Sequence, residues 1–175
     1  MNRTQNPTSS AADTTTEPTV TLADTLRGAA RYLEVRGWHQ GDYYAYNDRA
    51  FPGACVVGAI GMAAHGEVRF CPILDGPNVR DCNRAVAYLT GYLIDQGVIV
   101  ADGDEWTTES INPSEWNDRD GQTPGNVIAT LRAAADEYDW QHASDDDLKD
   151  YCDWHYTRTE EPCTREGFLA WRAAR

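Results

Sequence analysis

Apolar residues recur at helical spacing through most of the chain after residue 20, and capping residues divide the recurrences into separate helices. Leu22, Leu26, Ala29, Ala30 and Leu33 fall on one face. Thr21 with Asp24 three residues on has the form of a capping box, and Gly37 after Arg36 is a stop signal. Residues 38–54 read as a loop. Residues 55–64 are apolar and small, and the run suits either a buried helix or a buried strand. Its length and alanine content favour helix, although its two glycines weaken one by about 1 kcal/mol each. Beyond a Pro/Gly loop at 71–77, a helix opens at Asn78 or Asp81. Cys82, Ala85, Val86, Leu89, Tyr92 and Leu93 form its stripe, and Gly97 ends it.

Val98, Ile99 and Val100 are a short strand or apolar packing behind that cap, and residues 101–122 read as a long polar loop. Thr123 caps a further helix with Pro124 at its first position, where the missing N–H costs nothing, and Val127, Ile128, Leu131, Ala134 and Tyr138 make its stripe. Ser144 with Asp147 is a second capping box, and Asp145, Asp146 and Asp147 sit where the helix dipole favours acids. Leu148, Tyr151, Cys152 and His155 face inward from that helix. A last short helix follows Thr164 and carries Phe168, Leu169 and Trp171. The expected fold is mainly α: one compact domain of five or six helices with at most a small strand pair. Residues 1–19 read as a disordered tail, 20–140 as the helical domain, and 141–175 as an acidic helical extension packed on it.

Four short motifs carry a resemblance. They are the helix running into Gly37-Trp38-His39-Gln40-Gly41, the segment Cys55-Val56-Val57-Gly58-Ala59, the helix ending before Gly97, and Trp116-Asn117-Asp118 ahead of the Thr123 helix. In this order they resemble an uncharacterised family of small actinobacterial and actinophage proteins. The resemblance spans about residues 21–138 and implies an actinobacterial or phage origin. It implies no activity.

Charge changes the picture more than length does. The chain of 175 residues has a net charge of −13. Residues 101–161 hold seventeen of the twenty-eight acids and four of the fifteen bases, which accounts for all of that charge. An acidic second half repels nucleic acid and anionic membrane and attracts a basic protein. Trp106, Trp116, Trp140 and Trp154 lie among these acids, so the stretch suits a docking face. Its candidate contacts are Asp145, Asp146, Asp147, Asp150 and Trp154. The extreme form is a DNA mimic, with carboxylates in place of phosphates. The five cysteines (Cys55, Cys71, Cys82, Cys152, Cys163) are odd in number and irregularly spaced, a poor disulfide framework. With no apolar leader and no membrane-length run, a cytoplasmic location follows.

Candidate chemistry is sparse. Trp116-Asn117-Asp118 suits a turn whose side chains bond the backbone. The alternative is a small-ligand pocket lined by Trp38, Gln40, Cys55, Trp116, Asn117 and Asp118, with the helix start near Thr123 as an anion site. Cys55 at a helix start is a conceivable nucleophile, but His65 stands about fifteen ångströms along a helix and His39 reaches it only by folding back. His142, Cys152, His155 and Cys163 are four zinc-type ligands whose outer spacings match no standard finger. The Asp-rich loops lack the glycine and glutamate of a calcium hand. No phosphate loop, dinucleotide fingerprint or nucleophile elbow occurs. The sequence therefore calls for no cofactor and leans toward a non-enzymatic accessory protein with a basic protein partner; a small-ligand-binding protein or enzyme with the pocket around Trp38, Cys55 and Trp116, and a small virion or scaffold component, are the alternatives.

Overall fold

A computed structural model describes residues 20–67, 69–70, 79–101 and 112–175. Seven α-helices occur among them: α1 Leu22–Arg36, α2 Val56–His65, α3 Arg80–Asp95, α4 Pro113–Asp118, α5 Pro124–Gln141, α6 Asp145–Tyr156 and α7 Arg165–Ala173. The protein is mainly α, and the described residues hold no sheet. Extended pairing is limited to two isolated bridges, Trp38 with Ala54 and Tyr44 with Ala54. The tail at 1–19, the loop at 71–77, and Cys71, Asn78 and Trp106 lie outside the described residues.

The caps form as the sequence chemistry dictates. Thr21 and Asp24 exchange side chain–backbone bonds at the start of α1. Thr123, Ser144 and Thr164 each accept an amide of their own first turn. Such caps satisfy amides that a helix leaves unpaired, at about 1 kcal/mol each. The helix over residues 80–95 departs from expectation at its start. Val79 is its cap residue, with no side-chain bond, and Asp81 lies inside the first turn. Val98–Val100 makes no strand. Gly97, at φ 65°, turns the chain so that Val98 and Ile99 donate back to the Leu93 carbonyl, and Ile99 buries against the core.

The larger correction lies at residues 101–122, where helix α4 occupies part of the expected loop. Asn112 accepts the Glu115 amide at 2.9 Å while its own amide donates to the Glu115 carboxylate at 2.8 Å. Pro113 stands at N1 and Trp116 is buried. This is an Asn N-cap, braced by a side chain–side chain bond, on a helix of six residues, too short for a hydrophobic period to reveal.

Helices α1, α2, α3 and α5 enclose the main core. Leu26, Leu33, Ile60, Leu89, Leu93, Val127 and Leu131 fill it, and Ala29, Ala30, Ala59, Ala134 and Ala135 let the helices approach closely. The glycines of α2 have a packing reason. The 38–54 loop crosses that helix so closely that a Cβ at Gly58 would overlap the Tyr43 carbonyl; separately, Phe70, just beyond α2, packs back so that a Cβ at Gly61 would stand 2.6 Å from its ring. Tyr44 fixes the crossing by donating to the Gly58 carbonyl at 2.9 Å. These contacts explain why the two interior positions are glycine in spite of its cost within a helix.

A smaller cluster of Tyr151, Phe168 and Trp171 joins α6 to α7, with Leu148 and Cys152 half-buried beside it. It is linked to α5 through a Trp140–Phe168 edge contact at 5.8 Å and the Arg165–Glu137 pair at 2.6 Å. The inward face of α5 also includes Asp139, which is 5% exposed. Arg27 of α1 and Arg172 of α7 meet its carboxylate at 2.7 and 3.5 Å. Burial works against the Arg27 charge, but bonds to Asp136 and Asp139 outweigh it and hold its pKa above the ordinary value.

Candidate functional site

The Trp116-Asn117-Asp118 turn is the C-terminal end of α4, and it is the polar centre of the molecule. Asn117 is fully buried. Its Oδ1 accepts from Trp38 Nε1 at 2.8 Å and from the Val56 amide at 3.0 Å. Its Nδ2 donates to the His39 carbonyl at 3.0 Å and to Asp118 Oδ1 at 2.7 Å. One amide side chain thus uses both lone pairs and both protons. It ties the start of α2, the 38–41 loop and α4 together. Gln40 adds bonds from Nε2 to the Asn117 and Arg119 carbonyls, and Gly41 donates its amide to Asp118 at 3.0 Å.

The residues grouped by sequence as a pocket do come together here, but their polar heads face each other. Trp116 is buried in the core, and Trp38 packs against it from the partly buried rim. Cys55 and Asp118 of the six open onto a concavity, a shallow one of about 270 Å³ shared with Gly41, Asp42, Tyr43 and Ser114. Cys55 caps α2, its Sγ accepting the Gly58 amide at 3.4 Å. Burial pushes the thiol pKa up, against the lowering by backbone amides. A protonated, buried thiol is a packing group and a poor nucleophile. His65 is stacked on Phe70 at 4.1 Å. At the start of α5 Thr123 accepts Asn126 N at 3.2 Å, and Gln122 Oε1 takes the Thr123 amide.

The four zinc-type residues are dispersed in their bonding. His142 stacks on Tyr138 at 3.9 Å and its Nδ1 meets the Tyr138 carbonyl. His155 Nε2 meets the Glu161 carbonyl at 3.0 Å. The neighbouring Cys163 thiol raises the Cys152 pKa, and it raises that of Tyr156 in the same way. Among the described residues, no group of three or more His, Cys, Asp or Glu is arranged to hold a metal.

A roomier concavity than the one at Cys55 lies on the acidic half. It is a groove of about 710 Å³ between α6 and α7, walled by Tyr151, Trp154, Trp171 and Ala170, with Asp150 and Arg175 at its edge. Trp154 is 41% exposed and Tyr156 59%. Two guanidiniums already sit on indole faces here, Arg158 over Trp154 at 4.5 Å and Arg175 over Trp171 at 4.6 Å. Of the acids expected on a docking face, Asp147 is used in the α6 cap, bonded by Ser144 Oγ at 2.9 Å. Asp145, Asp146 and Asp150 are exposed. The groove itself is invisible in sequence, because its walls come from two helices. The recurrence of Tyr151 and Trp154 with Trp171 is the one signal that could have indicated it.

Fold and site together define a small all-helical protein with a closed polar junction at its centre and an aromatic groove on its acidic half. The chain belongs to a family of unknown function, DUF6197, whose model matches residues 17–137. The match ends within α5, so α6, α7 and the groove lie beyond it. No curated protein and no solved structure matches the chain. No helix among the described residues is long and apolar enough to cross a membrane.

Proposed function

We propose that this protein is a non-enzymatic accessory protein that binds a basic protein partner through α6 and α7. The observation that carries the reading is the groove between these helices, apolar and aromatic within, with the exposed carboxylate of Asp150 at its edge and further exposed acids, Asp145 and Asp146, elsewhere on α6. Aromatic anchors in a concave centre with charge at the rim suit protein recognition. The closed junction around Asn117 supports the same reading, since its polar groups are consumed by the fold rather than offered to a substrate. The setting that goes with it is cytoplasmic, in an actinobacterial cell or one infected by a phage, as the sequence motifs imply.

The test is an affinity capture from actinobacterial lysate at low salt, identified by mass spectrometry, beside an Asp145→Lys/Asp146→Lys/Asp150→Lys variant. The reading expects one basic protein, captured saturably and lost with the variant. Equal capture by both proteins, or none by either, overturns it.

A further inference from the structure

We infer that the α6–α7 groove is a seat for an arginine side chain of a basic protein, held in the free protein by the chain's own Arg175. This rests on the partner-binding reading above and names the chemistry of the contact. Arg175 lies with its guanidinium 4.6 Å from the Trp171 ring centre and one nitrogen 3.8 Å from Asp150 Oδ2. Its side chain is 59% exposed and that of Asp150 62%. An aromatic face with a carboxylate beside it is the pair of features that recognises a guanidinium, which stacks flat and donates sideways. The occupant therefore displays what the groove accepts. Its long, exposed ion pair is of the kind that water and salt weaken, so it is easily displaced.

Three further observations fit an exchange rather than a fixed structural contact. The groove has room beyond Arg175, with a volume of about 710 Å³. Trp154 on the opposite wall is 41% exposed and already carries Arg158 at 4.5 Å, a second guanidinium–indole stack in one small module. The acids of α6 give the approach a net negative charge, with Asp145, Asp146, Asp150 and Asp153 exposed along it and Lys149, paired with Asp153 at 3.5 Å, as the helix's one lysine. Such a field draws in a basic segment, and the aromatic seat then selects arginine over lysine.

The experiment uses the intact chain and two fluorescein-labelled peptides of alternating glycine with arginine or with lysine, followed by fluorescence anisotropy at fixed ionic strength. The arginine peptide should bind saturably and about fivefold tighter than the lysine peptide, the scale of one guanidinium–aromatic contact. Arg175→Ala should tighten arginine binding about fivefold by vacating the seat, and Asp150→Asn or Trp154→Ala should weaken it by a similar factor. Trp154→Phe, which keeps a ring, should recover most of the loss. Asp145→Asn/Asp146→Asn lies outside the groove and should reduce both peptides alike. Circular dichroism of each variant verifies that α6 and α7 remain folded, and the exposure of residues 150, 154 and 175 makes these substitutions tolerable. Equal binding of the two peptides, unmoved by Arg175→Ala and Asp150→Asn, overturns the seat. In that case a lysate partner still lost on charge reversal of α6 leaves the broader reading standing, so the two failures are distinguishable. Concentration-dependent self-association that Arg175→Ala abolishes, or an apolar dye held in the groove and not displaced by the arginine peptide, also counts against it.

Discussion

Replacing Asn117 by alanine is the sharpest perturbation available at the junction. The substitution leaves the Trp38 indole N–H, the Val56 amide and the His39 carbonyl without their partner. Val56 is wholly buried, whereas Trp38 and His39 are half-buried and regain some water. At roughly 1–3 kcal/mol for a stranded buried group, with the two half-buried ones discounted, the loss is about 3–5 kcal/mol. In a chain of this size each kcal/mol moves the melting temperature by about 2–4 °C, so Tm should fall by about 10 °C. Urea denaturation followed by far-UV circular dichroism reads the change directly. Trp38→Phe deletes one donor and leaves Oδ1 with the Val56 amide, so it should cost about 1 kcal/mol. The double variant should cost less than the two singles together, because the same bond is lost in each. Asn117→Asp keeps both accepted bonds but turns an oxygen toward the His39 carbonyl and Asp118. That neighbourhood raises the new carboxyl's pKa, so its stability is retained below the unfolded value of ~4 and lost as pH rises above it. A loss below about 1 kcal/mol for Asn117→Ala, or strict additivity with Trp38→Phe, refutes the claim that this amide holds the junction.

Further outcomes follow from single positions. Gly58→Ala drives a Cβ into the Tyr43 carbonyl and should cost about 2–4 kcal/mol, while Gly91→Ala in α3 meets open space and should stabilise by about 0.5–1 kcal/mol; paired thermal melts give both signs. Asp139→Ala removes the carboxylate shared by Arg27 and Arg172, and since both arginines keep access to water the loss in urea should be about 1–3 kcal/mol. Burial pushes the Cys82 thiol from 9.0 up to about 11. A raised folded pKa contributes stability that is present below 9.0 and lost as pH climbs toward about 11, so the urea midpoint should fall across that window, and less steeply in Cys82→Ala. Alkylation with peptide mapping should leave Cys55 and Cys82 intact while the half-exposed Cys152 and Cys163 react.

The helices were legible because their signals are local. Thr21, Thr123, Ser144 and Thr164 each sit three residues before the amide they accept, and the apolar stripes of α1 and α3 need only a period of 3.6. Helix α4 was hidden because six residues carry no period, although Asn112 and Glu115 spell its cap. Asp139 was hidden for a different reason. A carboxylate on an apolar face reads as solvent-facing until Arg27 and Arg172 arrive from other helices to neutralise it.

The sequence by itself determined that this chain is helical, where most helices begin, and that its charge lies in the second half. It also marked Trp116-Asn117-Asp118 as special without saying for what. Only the tertiary structure decided that Asn117 spends its whole hydrogen-bonding capacity on Trp38, Val56, His39 and Asp118, residues up to 79 positions away. It also decided that α6 and α7 form an aromatic groove between them. A hydrogen bond or a groove wall is a relation between distant residues, and the spacing of residue types along a chain encodes only what near neighbours do to each other.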